Sequence, residues 1–352
     1  WHLGTLSPTF SGKGAQRHPE RNYMTPSMAG FDEWFSTEYA VATWDPYLRK
    51  NAHGRFDPRA LYWHNGKCIT DGAQQGLTGC DSRMIMDRAI PFIEQSVASG
   101  RPFLTVIWFH APHQPVVGGP PYLAQYAQYP ENQRHYYAVI TALDDQVGRL
   151  TRKLESLGVA RQTMIWFCSD NGPEGNPGPK GRSQGSAGPL RGRKRSLYEG
   201  GIRVPAFVTW PAAIEPGRRT SVPAVTSDLF PTVADVLGIA SPAKDDRPYD
   251  GISLRPLFEQ RMERRPLPIG FQYRGDMAVV DNRFKLVHHT NLKRHRSDNG
   301  KVPVATWELY DVTDDRSESA NVAAEHPEEV RRLRKILEEW RRSCQRSSER
   351  NG

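Results

Sequence analysis

The spacing of apolar and polar positions divides the chain into stretches of different character. Residues 1–80 are rich in Gly, Pro, Asn and His, carry few periodic runs, and read as long loops. From Ser82 to Ala98, Ile85, Ala89, Phe92, Ile93 and Val97 recur at helical spacing, with Gly100 as the stop. Pro91 inside that run predicts a kink or a late start. Phe103 to Phe109 is continuously apolar, as a buried parallel strand is, and delivers His110 and His113 to its end. The clearest helix runs from Tyr136 to Leu157, where Tyr136, Ile140, Leu143, Val147, Leu150 and Leu154 form one stripe before Gly158. Met164 to Cys168 reads as a second buried strand and Ala206 to Trp210 as a third. A helix follows, capped at Ser227-Asp228, containing Pro231 and ending near Gly238. This alternation predicts an α/β fold with a mostly parallel central sheet and helices on both faces.

The pattern changes after a charged segment at about Glu259 to Arg265. We therefore expect a large domain over residues 1–260 and a smaller one over 261–352. Phe271–Tyr273, Met277–Val280, Phe284–Val287 and Trp307–Tyr310 read as short strands of an antiparallel sheet in this α+β part. Thr290 to Lys301 reads as an exposed basic loop. A terminal helix opens near Pro327, with Glu328 and Glu329 favourable to its dipole, and buries Val330, Leu333, Leu337 and Trp340. No internal repeat is visible.

Composition narrows the function. Mean hydropathy is −0.65, and no apolar run approaches the roughly 18–20 residues of a membrane helix, so no transmembrane segment is expected. A net charge of +8 favours an anionic partner. Nothing resembles a zinc-finger, homeodomain or RNA-recognition pattern, so nucleic acid is not the expected partner. Cys68 and Cys80 flank a polar, Gly-containing stretch and could pair in an oxidising compartment. Cys168 belongs to a strand, and Cys344 reads as exposed. Oligomeric state is not written in the sequence.

The chemistry concentrates in two motifs. The strand ending at Cys168 stops abruptly at Ser169-Asp170-Asn171-Gly172. Ligands of α/β sheets bind at the carboxyl ends of strands, and an acid beside an amide presents hard oxygens that suit Ca²⁺ or Mg²⁺. Alone, Asp-Asn-Gly is a common turn. Some twenty residues later comes the string Gly188-Pro-Leu-Arg-Gly-Arg-Lys194-Arg-Ser-Leu-Tyr-Glu-Gly-Gly-Ile-Arg-Val-Pro205. Such a charge run is usually a solvated loop, but it can also hold an oxyanion at a cation.

Together these motifs resemble the sulfatase family of the alkaline-phosphatase superfamily. Trp1-His2-Leu3-Gly4, Gly30-Phe-Asp-Glu-Trp-Phe35, His110-Ala-Pro-His113-Gln-Pro115, Asp228-Leu-Phe-Pro-Thr232, Asp250-Gly-Ile-Ser-Leu254, Leu309-Tyr-Asp311 and Glu318-Ser-Ala-Asn321 extend the match over nearly the whole chain. The resemblance implies a sulfuric-ester hydrolase that uses Ca²⁺ and a formylglycine nucleophile. It implies that Asp170 and Asn171 coordinate the Ca²⁺, and that Lys194 and His113 bind the sulfate of the substrate. His113 would also supply the leaving alcohol's proton, and His2 would contact the formylglycine hydrate whose hydroxyl attacks sulfur. One departure is large. None of Cys68, Cys80, Cys168 and Cys344 has Pro two residues on and Arg four on, as the formylglycine motif requires. We therefore read the chain as the C-terminal part of a sulfatase, inactive alone. The substrate expected is a sulfated saccharide or an aryl sulfate, and the compartment an exported one. Two alternatives stay open: a phosphomonoesterase or phosphonate hydrolase of the same superfamily, and a non-catalytic relative that binds sulfated glycans.

Overall fold

The computed structural model describes residues 3–11, 18–48, 61–70, 72, 76–174, 181–240, 248–290 and 306–349. The chain forms two compact units, Trp1–Thr163 with Glu174–Gly185, and Met164–Pro173 with Ser186–Gly352.

In the first unit a short helix α1 (Pro19–Asn22) precedes an antiparallel sheet of β1 (Phe35–Thr37), β2 (Tyr62–His64) and β3 (Lys67–Ile69), in that order. This sheet lies where loops are expected. Its strands are too short for a visible period, but Asn65-Gly66, at φ 46° and 81°, is the two-residue turn that joins hairpin strands. Tyr62 stacks on Phe35 and packs with Val41, Ile69, Leu77 and Met84.

Helix α2 (Asp81–Ala98) continues through Pro91, which is exposed. It buries Met86, Ile90 and Ile93, a face about one residue on from the predicted stripe. After α3 (Pro120–Leu123), helix α4 (Glu131–Ser156) starts at Glu131 and not at Tyr136, because its polar first turn gives no apolar signal. It packs on α2 and buries Ala138, Val139, Ala142 and Leu154. The apolar run Phe103–Phe109 joins no ladder among the described residues, and its Leu104, Val106 and Trp108 are 63%, 41% and 61% exposed.

In the second unit β4 (Ile165–Cys168) precedes α5 (Glu199–Ile202) and β5 (Ala206–Thr209). The expected parallel pairing is not found: β4 and β5 run antiparallel, with Phe167 stacked on Phe207. Every ladder among the described strands is antiparallel, apart from an isolated parallel bridge between Thr5 and Tyr23. An apolar run fixes neither the direction of a strand's neighbour nor its burial, since β4 is half-buried and β5 mostly exposed, and the mostly parallel sheet is not confirmed among the described ladders.

Helices α6 (Leu229–Val236) and α7 (Arg255–Phe258) are joined through Asp228. Its carboxylate accepts from Val225 N and Ile252 N and pairs bidentately with Arg265, both side chains being buried. Thr232 Oγ1 accepts from Leu254 N. The Asp228–Thr232 and Asp250–Leu254 motifs are therefore two sides of one hydrogen-bonded junction.

The C-terminal part agrees with the sequence pattern. Strands β6 (Ile269–Tyr273), β7 (Asp276–Asp281), β8 (Phe284–His288) and β9 (Trp307–Asp311) form an antiparallel sheet in that order, followed by α8 (Pro327–Glu349). Met277, Val279, Leu286 and Leu309 pack on Leu333 and Leu337 of α8, while the alternate residues Ala278, Val287 and Tyr310 face Leu197 and Tyr198. Leu333 and Leu337 are fully buried, and truncating either to Ala costs about 2–5 kcal/mol. The other face of this sheet is thus the floor of the Lys194 loop. Most of the predicted basic loop, residues 291–301, lies outside the described residues. Among the described residues no helix is long and apolar enough to cross a membrane.

Candidate functional site

The acid, the amide and the lysine picked out by sequence all lie in the second unit, on two segments joined by backbone hydrogen bonds. Past β4, Ser169 N donates to Pro205 O and Ser169 Oγ donates to Asn171 O. Asp170 is exposed and Asn171 half-buried. Asn171 Nδ2 donates to Gly172 O at 2.9 Å. Its Oδ1 and the Asp170 carboxylate have no hydrogen-bond partner among the described residues, so hard oxygens of both side chains remain available to a ligand.

Backbone contacts fasten this turn to the basic loop. Gly172 N donates to Gly201 O at 2.9 Å, Lys194 N to Pro173 O at 3.1 Å, and Gly200 N to Arg191 O at 2.6 Å. A Cβ on Gly172 would lie 1.9 Å from Gly200 O, so only glycine allows the two loops to approach this closely. Lys194 is half-buried and Arg195 exposed, whereas Arg191 and Arg193 are buried.

A buried polar network supports the loop. Arg191 lies 3.8 Å over the Tyr198 ring and donates to Tyr310 Oη at 2.7 Å. Both tyrosine hydroxyls donate to Glu308 Oε2, at 2.6 and 2.7 Å, and His289 approaches the same oxygen at 3.3 Å. Burial, reinforced by Glu308, pushes both phenols well above their usual range and keeps them donors. Beside them Lys285 Nζ bridges Glu199 at 3.0 Å and Glu318 at 2.8 Å, Glu199 N donates to Glu318 at 2.6 Å, and Arg203 pairs with Glu199. The two carboxyls are driven apart. Burial pushes Glu199 up, but Lys285 and Arg203 outweigh it and hold it below the usual range. At Glu318 burial outweighs Lys285 and the carboxyl is raised.

Sequence reasoning missed Lys285 and Glu308, because both read as outward residues of ordinary strands. It had Glu318 only as part of a motif. A lysine inside β8 that is 0% exposed gives no local signal, since its partner Glu199 is 86 residues away.

His113 belongs to the first unit. It is exposed, its backbone N donates to His110 O at 2.7 Å, and its Nδ1 donates to Gln114 O at 2.6 Å. In the neutral ring that leaves Nε2 as the unprotonated nitrogen. His110 has its Nε2 2.8 Å from Thr37 Oγ1 and its Nδ1 2.9 Å from Asp81 Oδ2. Arg182 donates to Val116 O and Glu131, a structural role. His2 lies outside the described residues. Cys68 and Cys80 are free thiols, not a disulfide, and Cys344 is half-buried where exposure is expected. The described residues contain no group of three or more His, Cys, Asp or Glu side chains placed to hold a metal ion.

Family models and known proteins match most of the chain. The family model described as Sulfatase matches residues 7–239, and that described as N-sulphoglucosamine sulphohydrolase, C-terminal, matches residues 192–343. The chain is 30% identical over 292 residues to N-acetylgalactosamine-6-sulfatase of Canis lupus familiaris, covering 81% of this chain and 50% of that protein. It is 35% identical over 236 residues to steryl-sulfatase of Mus musculus, covering 66% of this chain and 33% of that protein. It thus spans at most about half the length of these curated relatives. Among solved structures it is similar to Ps i-CgsB in complex with k-i-k-neocarrahexaose, with a TM-score of 0.75, 25% identity, and coverage of 92% of this chain and 69% of the other.

Proposed function

The chain belongs to the sulfatase family, and from that premise we propose that it contributes Asp170, Asn171, Lys194 and His113 to a sulfuric-ester hydrolase that releases sulfate from a sulfated saccharide. The observation that supports this reading is the backbone lock between the Asp170–Asn171 turn and the Lys194 loop, which keeps the two segments adjacent in the second unit. A saccharide is preferred to an aryl or steryl ester because the relatives covering most of the chain are named for an amino-sugar sulfate, and the net charge of +8 favours a polyanionic substrate. We place it in an exported compartment, as the family resemblance implies.

Each residue has a role set by its chemistry. The Lys194 ammonium is a mobile donor suited to a tetrahedral oxyanion, and it stabilises charge that develops on a sulfuryl oxygen. The His113 ring, with Nδ1 committed to Gln114 O, handles the proton of the leaving alcohol at Nε2. The Asp170 carboxylate and Asn171 Oδ1 are the donors that fit Ca²⁺, which prefers oxygen ligands. They are two of the six to eight or so such an ion takes, so further oxygens must complete the shell. When bound there, the ion would supply Lewis-acid polarisation of a sulfate oxygen. The attacking group is not among these residues, since no cysteine here lies in the formylglycine motif.

In the whole protein, Lys194→Ala and His113→Ala should each lower turnover of a sulfated monosaccharide by about 10²–10³-fold with the fold retained. Near-normal kcat/KM for both variants on a sulfate ester would sink these roles. The 352-residue chain by itself should show no turnover, and turnover by it would place the nucleophile elsewhere.

A further inference from the structure

We infer that Thr37, Asp81 and His110 are positioning residues for His113: they fix His110 so that the turn it opens holds the His113 ring in its Nδ1–H form, with Nε2 left for proton exchange. The purpose of this arrangement rests on the role just given to His113; the arrangement itself rests on geometry within the first unit.

Three elements converge on the His110 ring. Asp81, the first residue of α2, is 0% exposed and accepts from the Tyr62 hydroxyl of β2 and from His110 Nδ1 at 2.9 Å. A buried carboxylate is costly unless its oxygens are hydrogen-bonded, and here both are. Burial, with Asp81 adding to it, holds the Tyr62 phenol well above its usual range, so the tyrosine stays a donor. Because the carboxylate can only accept, His110 carries its proton on Nδ1. Nε2 then lies 2.8 Å from Thr37 Oγ1 of β1, a hydroxyl that shares its one hydrogen between this nitrogen and Tyr39 O, to which it donates at 2.9 Å.

A hydroxyl, an imidazole and a carboxylate in line have the outline of a nucleophile with its base and orienting acid. Thr37 is 3% exposed, however, so no substrate group reaches its hydroxyl. What the line does is immobilise His110 on both ring nitrogens. The constraint then passes along the backbone. His110 O accepts from His113 N at 2.7 Å, and the turn between them is pinned by Ala111, which packs with Val116 and Val139 in a buried cluster. With the turn fixed, Gln114 O stands where His113 Nδ1 reaches it.

The test is long-range ¹H–¹⁵N NMR of the 352-residue chain labelled at histidine, with His113→Gln to assign the resonance. The parent should show His113 as a single Nδ1–H tautomer at a pH where the ring is neutral. Asp81→Asn and His110→Phe should lower that population by about half or more, towards the mixture of a free imidazole. Thr37→Val should move it the same way by less, and Thr37→Ser should restore the parent spectrum. A single Nδ1–H tautomer surviving in folded Asp81→Asn and His110→Phe overturns the inference. If those two variants unfold, Thr37→Val decides: an unchanged His113 signature overturns the inference, and a shift reversed by serine supports it. The readout is independent of sulfate-ester turnover, so failure here and failure of the catalytic role of His113 are separate results.

Discussion

The two units each support a candidate side chain with buried polar groups, and they do it with different materials. In the first unit one carboxylate, Asp81, is satisfied by a phenol and an imidazole, and a threonine hydroxyl closes the line. In the second, charge is balanced against charge: Lys285 between Glu199 and Glu318, Arg203 on Glu199, and Glu308 facing Arg191, His289 and two tyrosines. Removing a neutral donor from the first cluster leaves one oxygen short of a bond. Removing a charge from the second leaves another charge buried without compensation, which costs more than the lost contact. The Lys194 loop is thus held more firmly than the His113 turn, and is more fragile to substitution.

The largest effect expected is therefore at Lys285. Lys285→Met removes the cation shared by two buried carboxylates, leaving Glu318 without one, and should lower the unfolding free energy by about 3–5 kcal/mol, read by urea denaturation. Adding Glu318→Gln should recover part of that loss. A cost no greater than that of Tyr62→Phe would break the comparison. Tyr62→Phe removes one hydrogen bond to the Asp81 carboxylate and should cost about 1.5–3 kcal/mol by the same measurement.

The smallest effect lies in pH. Glu318 is held above its ordinary range, so its favourable contribution is present in acid and is lost as pH rises through the folded value. Glu199 is held below its range, so its contribution is present above the ordinary carboxylate range and is lost as pH falls. Glu318→Gln removes only the first. Its stability relative to the parent should therefore rise from acid to neutral pH. A difference that stays flat or falls would mean that Glu318 is compensated as well as Glu199.

How much of this was legible beforehand depends on how local each signal is. Strands β6–β9 and helix α8 followed from alternation and helical spacing, because Met277, Val279, Leu333 and Leu337 declare their faces within a few residues. The Asn65-Gly66 hairpin was legible in principle from its turn, yet its three-residue strands show no period. The direction of β5 against β4 was not legible, since either direction pairs the same two apolar runs. At the site, Asp170, Asn171 and Lys194 stood out as a string. The residues beneath them did not: Glu199 meets Glu318 across 119 residues, and Tyr198 meets Glu308 across 110. A charge run taken for solvated loop is half interior for that reason, with Arg191 and Arg193 buried and Arg195 exposed.

The lock on Gly172 also bears on chemical ageing. Asn-Gly is the dipeptide in which a free glycine nitrogen most easily attacks the preceding amide, closing a succinimide that opens to aspartate or isoaspartate. At Asn171-Gly172 that N–H donates to Gly201 O at 2.9 Å, and Asn171 Nδ2 donates to Gly172 O. Ring closure needs both released, so the folded chain should keep this asparagine far longer than the unfolded one. Peptide mapping after prolonged warm storage, with and without urea, would read the difference; equal deamidation in both would show that the lock opens freely. Loss of this one amide would turn an Asp-Asn pair into two adjacent acids, changing the charge offered to a cation without altering a single codon.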